Sequence, residues 1–259
     1  MRWLCFLAAV AAPLFAQVNA PNEAGISFGH IHLVVTDPAA EEKAWMDGLG
    51  AQLEKAGPLD LLKLPGIFII VSKGMPNGGS NGSSVNHIGI AVKDYAEIKG
   101  KLGAAGIKMQ ELTPNQQMFA NFPEDVRVEV FEIKDLATPV AFHHVHESVV
   151  DGAAQQAWYD KTFGGAAGTR RNLPASMIPG GEVDFLRAQM PQVPTKGRSL
   201  DHIGFEVKDL QGFIQKLQAA GITMDTPYTD ATQRLGLKIA FLTDPAGTRI
   251  ELTEGLAAK

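Results

Sequence analysis

The sequence has almost no cysteine, no cluster of lysine and arginine, and no apolar run long enough to span a bilayer. Its one cysteine, Cys5, lies in an N-terminal stretch that reads as a leader, so the mature chain has neither disulfides nor a catalytic thiol. The formal charge of −5 and pI near 5.8, without a basic run, exclude nucleic acid or an anionic membrane as the main partner. Collagen-like, disulfide-scaffold and coiled-coil classes are excluded by composition. Apolar residues make up 45% and charged residues 20% of 259 positions, which is core material for one large globular domain or two ordinary ones.

The N-terminus reads as a secretory signal. Arg2 precedes the apolar stretch Trp3 to Phe15, which at 13 residues falls short of the roughly 20 needed to cross a bilayer. Small residues come next, ending Val18-Asn19-Ala20. Cleavage is expected after Ala20, making residues 1–20 the signal peptide, with Ala16 as the alternative, and the product periplasmic or secreted with no membrane attachment.

All seven histidines fall in four short segments. His30, His87, His144 and His202 are spaced by 57, 57 and 58 residues, and each is followed seven residues later by an aspartate: Asp37, Asp94, Asp151 and Asp209. Such self-similarity marks a repeated structural unit. Each histidine segment is apolar and β-branched, as in Gly29-His30-Ile31-His32-Leu33-Val34-Val35, and reads as a strand. Each aspartate is placed to accept from the free N–H groups of a first helical turn. Helices are predicted over Ala39–Leu49, Tyr95–Ala105, Gly152–Phe163 and Leu210–Ala220, ended by Gly50, Gly106, Gly164 and Gly221. Short strands fill the remainder, so the unit is βαβββ and the fold class α+β.

The modules alternate. One and three share a second histidine (His32, His146), an Ala-Trp pair that reads as core (Trp45, Trp158) and a Met-Pro exit (Met75-Pro76, Met190-Pro191). Two and four share Lys101-Leu102-Gly103-Ala104-Ala105-Gly106 and Lys216-Leu217-Gln218-Ala219-Ala220-Gly221. A duplicated two-module domain accounts for this alternation. Modules one and two are expected to form a first domain over 28–134, and modules three and four a second over 141–254, with Lys134–Val140 between them. Pairing one with four and two with three is the alternative that the sequence leaves open.

Side chains two apart on a strand share a face, so His30 and His32 point one way, as do His144 and His146, while His143 points the other. Gly89 and Gly204, two places after the lone histidines of modules two and four, leave space beside them. Glu129 and Glu251 each come six residues after a proline and sit among apolar strand residues, where a carboxylate is costly unless paired. Two histidines and such a glutamate on converging strands are a ready ligand set for a divalent metal.

From Gly29 to Glu254 the chain resembles the vicinal oxygen chelate superfamily of glyoxalase I, extradiol dioxygenases, fosfomycin-resistance enzymes and bleomycin-binding proteins. The resemblance is sharpest at Asp201-His202-Ile203-Gly204-Phe205-Glu206-Val207-Lys208-Asp209 and Asp244-Pro245-Ala246-Gly247-Thr248-Arg249-Ile250-Glu251-Leu252. It implies four βαβββ modules paired into two open-barrel domains, each barrel built around a metal. By position it implies His30, His87 and Glu129 as ligands in one barrel and His144, His202 and Glu251 in the other. Asp184 stands where some relatives have a fourth ligand, and Ile70 holds that place in module one. His146 is the candidate acid/base beside the metal.

The function implied is that of an exported, metal-dependent enzyme (a lyase, isomerase or dioxygenase) that chelates a small oxygen-bearing substrate at Fe, Mn, Ni or Zn. Glutathione adducts are cytosolic, which argues against glyoxalase I chemistry outside the cell. Phe241, ten residues before Glu251, departs from the tyrosine of extradiol enzymes. The alternative is a metal-free small-molecule binder of the bleomycin-resistance kind.

Overall fold

The computed structural model describes residues 17–259; the first 16 residues of the leader assigned to residues 1–20 lie outside them. Module one comprises β1 (Ile26–Val35), α1 (Pro38–Leu49), β2 (Gln52–Ala56), β3 (Leu59–Leu64) and β4 (Ile67–Lys73). Module two comprises β5 (Val85–Val92), α2 (Tyr95–Ala104), β6 (Lys108–Thr113), β7 (Gln117–Phe122) and β8 (Val126–Glu132). Module three has β9 (Val140–Val149), α3 (Gly152–Phe163), β10 (Ala166–Arg170), β11 (Leu173–Ile178) and β12 (Gly181–Arg187). Module four has β13 (Leu200–Val207), α4 (Leu210–Ala219), β14 (Thr226–Asp230), β15 (Lys238–Thr243) and β16 (Arg249–Glu254), with a single extra turn, α5 (Thr232–Leu235), between β14 and β15.

The four aspartates cap the four long helices. Their side chains accept from Ala40, Glu97, Ala154 and Gly212 N–H at 2.9–3.2 Å, each satisfying one otherwise free donor of a first turn. Gly50 and Gly164 end α1 and α3 in the left-handed conformation, at φ 73° and 67°. The outward faces of the first strands bury Ile31, Leu33, Ile203 and Phe205, and Val145 and Ile88 do the same in modules three and two. Trp45 is fully buried beneath α1, stacked at 4.5 Å on Phe122. Trp158 is partly buried at the rim of the same core.

The expected pairing of modules is corrected. One open eight-stranded sheet runs β14-β15-β16-β13-β1-β4-β3-β2 and joins modules four and one; the other runs β10-β11-β12-β9-β5-β8-β7-β6 and joins three and two. Within each, the two histidine strands lie antiparallel at the centre, β1 on β13 and β5 on β9. The odd–even alternation of the modules fits either pairing, because each combines one odd and one even module. The linkers decide. The Gly- and Asn-rich stretch after β4 and the stretch after β12 carry the chain from one sheet to the other. They run side by side, with Asn77 N–H donating to Gly197 O at 2.9 Å and Arg198 Nε to Gly79 O at 2.7 Å. The short segment after β8, read as the domain boundary, instead returns the chain to its own sheet.

The central strands are irregular beside their histidines. The β1–β13 pairing slips at Gly29 and at Asp201, and the β5–β9 pairing at Asn86 and at His143. A bulge adds one residue and turns its side chain out of strict alternation.

Candidate metal centres

The regrouped strands bring together two clusters that differ from the sets drawn from the sequence. His30, His32, His202 and Glu251 form one, and His87, Glu129, His144 and His146 the other, with a smaller group of His143, His144 and Glu182 sharing His144 with the second. Thus His30 meets Glu251 rather than Glu129, and His144 meets Glu129 rather than Glu251. The ligand types were legible; their partition depends on the module pairing and changes with it.

In the first cluster, His30 Nε2 and His202 Nε2 each lie 2.9 Å from the same oxygen, Glu251 Oε2. Gly204 faces Glu251 across the β13–β16 ladder, and a Cβ there would overlap the His30 ring. The space that the glycine leaves therefore serves the histidine of the partner module, not its own. Asp201, the bulge residue, turns back so that Oδ1 accepts from His202 Nδ1 at 2.6 Å. It also accepts from Arg249 Nη1 at 2.7 Å, and that guanidinium lies 4.1 Å above Phe241, whose edge supports His202. Burial by itself would lower the His202 pKa, but hydrogen bonds to Asp201 and Glu251 outweigh it and raise it. Burial likewise opposes ionisation of Glu251, yet His202 and His30 hold it well below the usual carboxylate range. His32 stacks on His202 at 4.4 Å and pairs Nε2 with Ser72 Oγ at 2.8 Å. Burial, with His202 nearby, drives its pKa well down and keeps it neutral.

In the second cluster His144 Nε2 is 2.9 Å and His87 Nε2 3.6 Å from Glu129 Oε2. Gly89 gives room to the His144 ring as Gly204 does to His30. Asn86 is the bulge residue here, and its Oδ1 lies 2.8 Å from His87 Nδ1. His146 pairs Nδ1 with His87 Nε2 at 2.6 Å, and its Nε2 lies 3.1 Å from Asp184 Oδ2. Burial lowers His87 to about 4 and His144 well below its ordinary value.

Three expectations change with this geometry. His146 stands in the second cluster, away from Glu251, and His32 takes the corresponding place in the first. Asp184 faces His146 and Arg170 rather than His202 and Glu251. His143 does not point away: as a bulge residue it swings towards the second cluster, its Nδ1 3.3 Å from Glu182 Oε1. Asp201 and Arg170 were missed. The signal for Asp201 was available in the polar residue immediately before the lone histidine in modules two and four; Arg170 had none, since only the folded hairpin shows where it reaches.

The first cluster fits a divalent ion by its donor set. Two imidazoles and one carboxylate converge on one point, and His32 Nδ1 beside them is buried without a hydrogen-bond partner, as are Glu129 Oε2, His146 Nε2 and Asp184 Oδ1 in the second cluster. The Asp201–His202 contact is the carboxylate–histidine arrangement that orients a metal-binding imidazole. A cavity of about 1510 Å³ lies elsewhere, between the sheets, lined by the β3–β4 and β11–β12 turns and by Leu136 to His143.

The sequence model of the Glyoxalase/Bleomycin resistance protein/Dioxygenase superfamily matches residues 141–252. Glyoxalase I from Zea mays superposes with a TM-score of 0.70 at 14% identity, covering 90% of this chain and 94% of the maize chain. A candidate dioxygenase from Bacillus subtilis subsp. subtilis str. 168 superposes at 0.67 and 14% identity, covering 92% of this chain and 86% of its own. No curated protein sequence matches significantly. At such identities the structural likeness establishes the fold alone. Residues 141–252 thus match the glyoxalase, bleomycin resistance protein and dioxygenase superfamily by sequence, and nearly all the described chain shares the fold of these two solved proteins.

Proposed function

We propose that this is an exported, metal-dependent enzyme of the glyoxalase and dioxygenase kind, acting on a small oxygen-bearing substrate at the His30–His202–Glu251 centre. The observation that carries the reading is the convergence of two imidazole Nε2 atoms on one Glu251 oxygen, each at 2.9 Å. A divalent ion held by these three residues (Fe, Mn, Ni or Zn) would supply Lewis acidity towards two substrate oxygens. Asp201 fixes His202 with Nε2 towards the centre. Ser72 fixes His32, and with Nε2–H donated to Ser72 Oγ, the neutral imidazole keeps a lone pair on Nδ1 for moving a proton at the substrate.

The test is metal per chain in the purified protein, followed by a screen of catechols and α-hydroxythioesters. A bound divalent ion that is lost in Glu251→Gln supports the reading. Protein that takes up no divalent ion overturns it in favour of a metal-free binding protein.

Export belongs to the same proposal and is tested by sequencing the N-terminus of protein recovered outside the cytosol. Val18 is buried, and Gln17 Nε2 donates to Leu64 O and Ile67 O at 2.6 Å each. Cleavage after Ala20 would remove both, so the packing favours a mature start at Gln17. Cytosolic protein beginning at Met1 would overturn export.

A further inference from the structure

We propose that the second cluster is a cation site already filled by the chain's own guanidinium, Arg170, so that the protein has one exchangeable metal site and not two. The inference rests on the reading of the first cluster as a metal centre, and the observations behind it are those of the second.

Arg170 Nη1 lies 3.1 Å from His144 Nε2, 3.2 Å from Asp184 Oδ2 and 3.6 Å from Glu129 Oε2. One cationic nitrogen thus faces an imidazole and two carboxylates, the surroundings a divalent ion would take. Arg170 Nε reaches Glu182 Oε1 at 3.3 Å, which anchors the other side of the fork. The side chain is 12% exposed and therefore part of the interior. His144 Nε2 has Arg170 Nη1 at 3.1 Å as well as Glu129 Oε2 at 2.9 Å, so an ion at that nitrogen would have to displace the guanidinium; its Nδ1 lies 3.2 Å from His143 Nδ1. His87 Nε2 is likewise occupied, by His146 Nδ1.

The placement is built by the fold. Arg170 ends β10 opposite Leu173, and the two intervening residues, Arg171 and Asn172, have φ of 46° and 68°. Positive φ at both positions is the tight hairpin turn whose twist matches its strands, so the Arg170 backbone is fixed. At the equivalent point of module one, β2 ends in Ala56 opposite Leu59, and Ile70 stands where module three has Asp184. An apolar pair in one half thus corresponds to an ion pair in the other. Neither charged member is tolerable alone at a buried position, which is why they occur together.

Titration of the protein with Co(II) alone tests this, read by native mass spectrometry and by the visible absorption that reports the ligand set. Wild type should bind one ion, Glu251→Gln none and Glu129→Gln still one. Arg170→Met should bind two, and Arg170→Met with Glu251→Gln one, with a changed spectrum. Arg170→Lys keeps the charge in place and should bind one. Wild type that binds two ions, one of them lost in Glu129→Gln, would overturn the proposal, as would a folded Arg170→Met that gains none. Should Arg170→Met not fold, the Glu129→Gln and Arg170→Lys counts still decide. Wild type with no ion would instead sink the metal reading of the first cluster; a single ion gained by Arg170→Met would then still support the second.

Discussion

The two clusters share a skeleton and differ in the residues that line it from the neighbouring strands. In both, a histidine from an odd module and one from an even module meet a glutamate on the even module's last strand, across from a glycine that the ring demands. Around the first stand Ala56, Ile70, Ile239 and Thr253; at the same register positions around the second stand Arg170, Asp184, Gln117 and Phe131. Gln117 Nε2 donates to Glu129 and Arg170 pairs with it, so the second glutamate has internal partners. Among the described residues, Glu251 pairs with its two histidines alone. The charge balance differs accordingly. At the second cluster burial keeps His87 and His144 neutral, and the fixed positive charge is a guanidinium. At the first, hydrogen bonds to Asp201 and Glu251 raise the His202 pKa against its burial, and a metal ion there would compete with a proton. A ligand triad is thus necessary for a metal centre without being sufficient; what separates the two is whether another cation is already there.

The largest expected effect is at the first glutamate. Glu251→Gln keeps the shape but removes the charge shared by both imidazoles. Its metal affinity should fall well beyond the roughly 10–100-fold that loss of a hydrogen-bond partner to a ligand costs. Glu129→Gln should leave metal content unchanged. Isothermal titration of both variants checks this, and equal losses would erase the distinction between the clusters.

A second effect separates module one from module three away from the metal. Glu41 is fully buried on α1 with Oε1 accepting from Trp45 Nε1 at 2.7 Å and Oε2 unpartnered; the matching position on α3 is Gln155. Burial pushes the Glu41 pKa from its ordinary 4.5 up to about 8, the Trp45 hydrogen bond opposing and Glu124 adding to the rise. The folded protein therefore holds this proton more tightly than the unfolded chain. The stability that it contributes is complete below about pH 4.5 and is lost as pH rises through about 8. Glu41→Gln should remove that slope and stabilise the chain by roughly 2–4 kcal/mol at alkaline pH. Denaturant unfolding at several pH values reads it, and parallel pH profiles for variant and wild type would disprove it.

Next are the glycines beneath the rings. Gly204→Ala and Gly89→Ala each drive a methyl into an imidazole and should cost about 1–3 kcal/mol in thermal or denaturant unfolding. Only Gly204→Ala should also weaken metal binding, because only His30 is a ligand of the exchangeable site. Metal loss in Gly89→Ala would break the comparison.

The sequence carried most of the fold because its signals are local. A period of 57 residues, capping aspartates and helix-ending glycines each act within a few positions, and all four long helices lie within one residue of their expected bounds. Pairing is not local. The alternation of modules fits both pairings, and the decision lies in which linker crosses between sheets, a matter of tertiary contacts such as Arg198 with Gly79. The same holds for the site. His30, His87, His144, His202, Glu129 and Glu251 were legible as cluster members from type and spacing, whereas their partition, the bulge at His143 and the reach of Arg170 needed the register.

The smallest effect expected probes the residue that precedes the even-module histidine. Asp201 and Asn86 occupy the same bulge and make the same contact, to His202 Nδ1 at 2.6 Å and to His87 Nδ1 at 2.8 Å. They differ in one charge. Asp201→Asn therefore gives the first cluster the partner that the second already has, with the acceptor retained. Loss of the carboxylate lowers the basicity of His202 as a ligand, and metal affinity should drop about tenfold, the lower end of what such partners contribute. At lower pH the gap should narrow, because Asp201 also raises the His202 pKa and so strengthens the proton that competes with the metal. The reciprocal Asn86→Asp should recruit no ion, since Arg170 still faces His144 and Glu129. Metal titrations at two pH values read both variants. An affinity gap in Asp201→Asn that is the same at both would mean that Asp201 only positions the ring, and an ion gained by Asn86→Asp would mean that the guanidinium does not guard the second cluster.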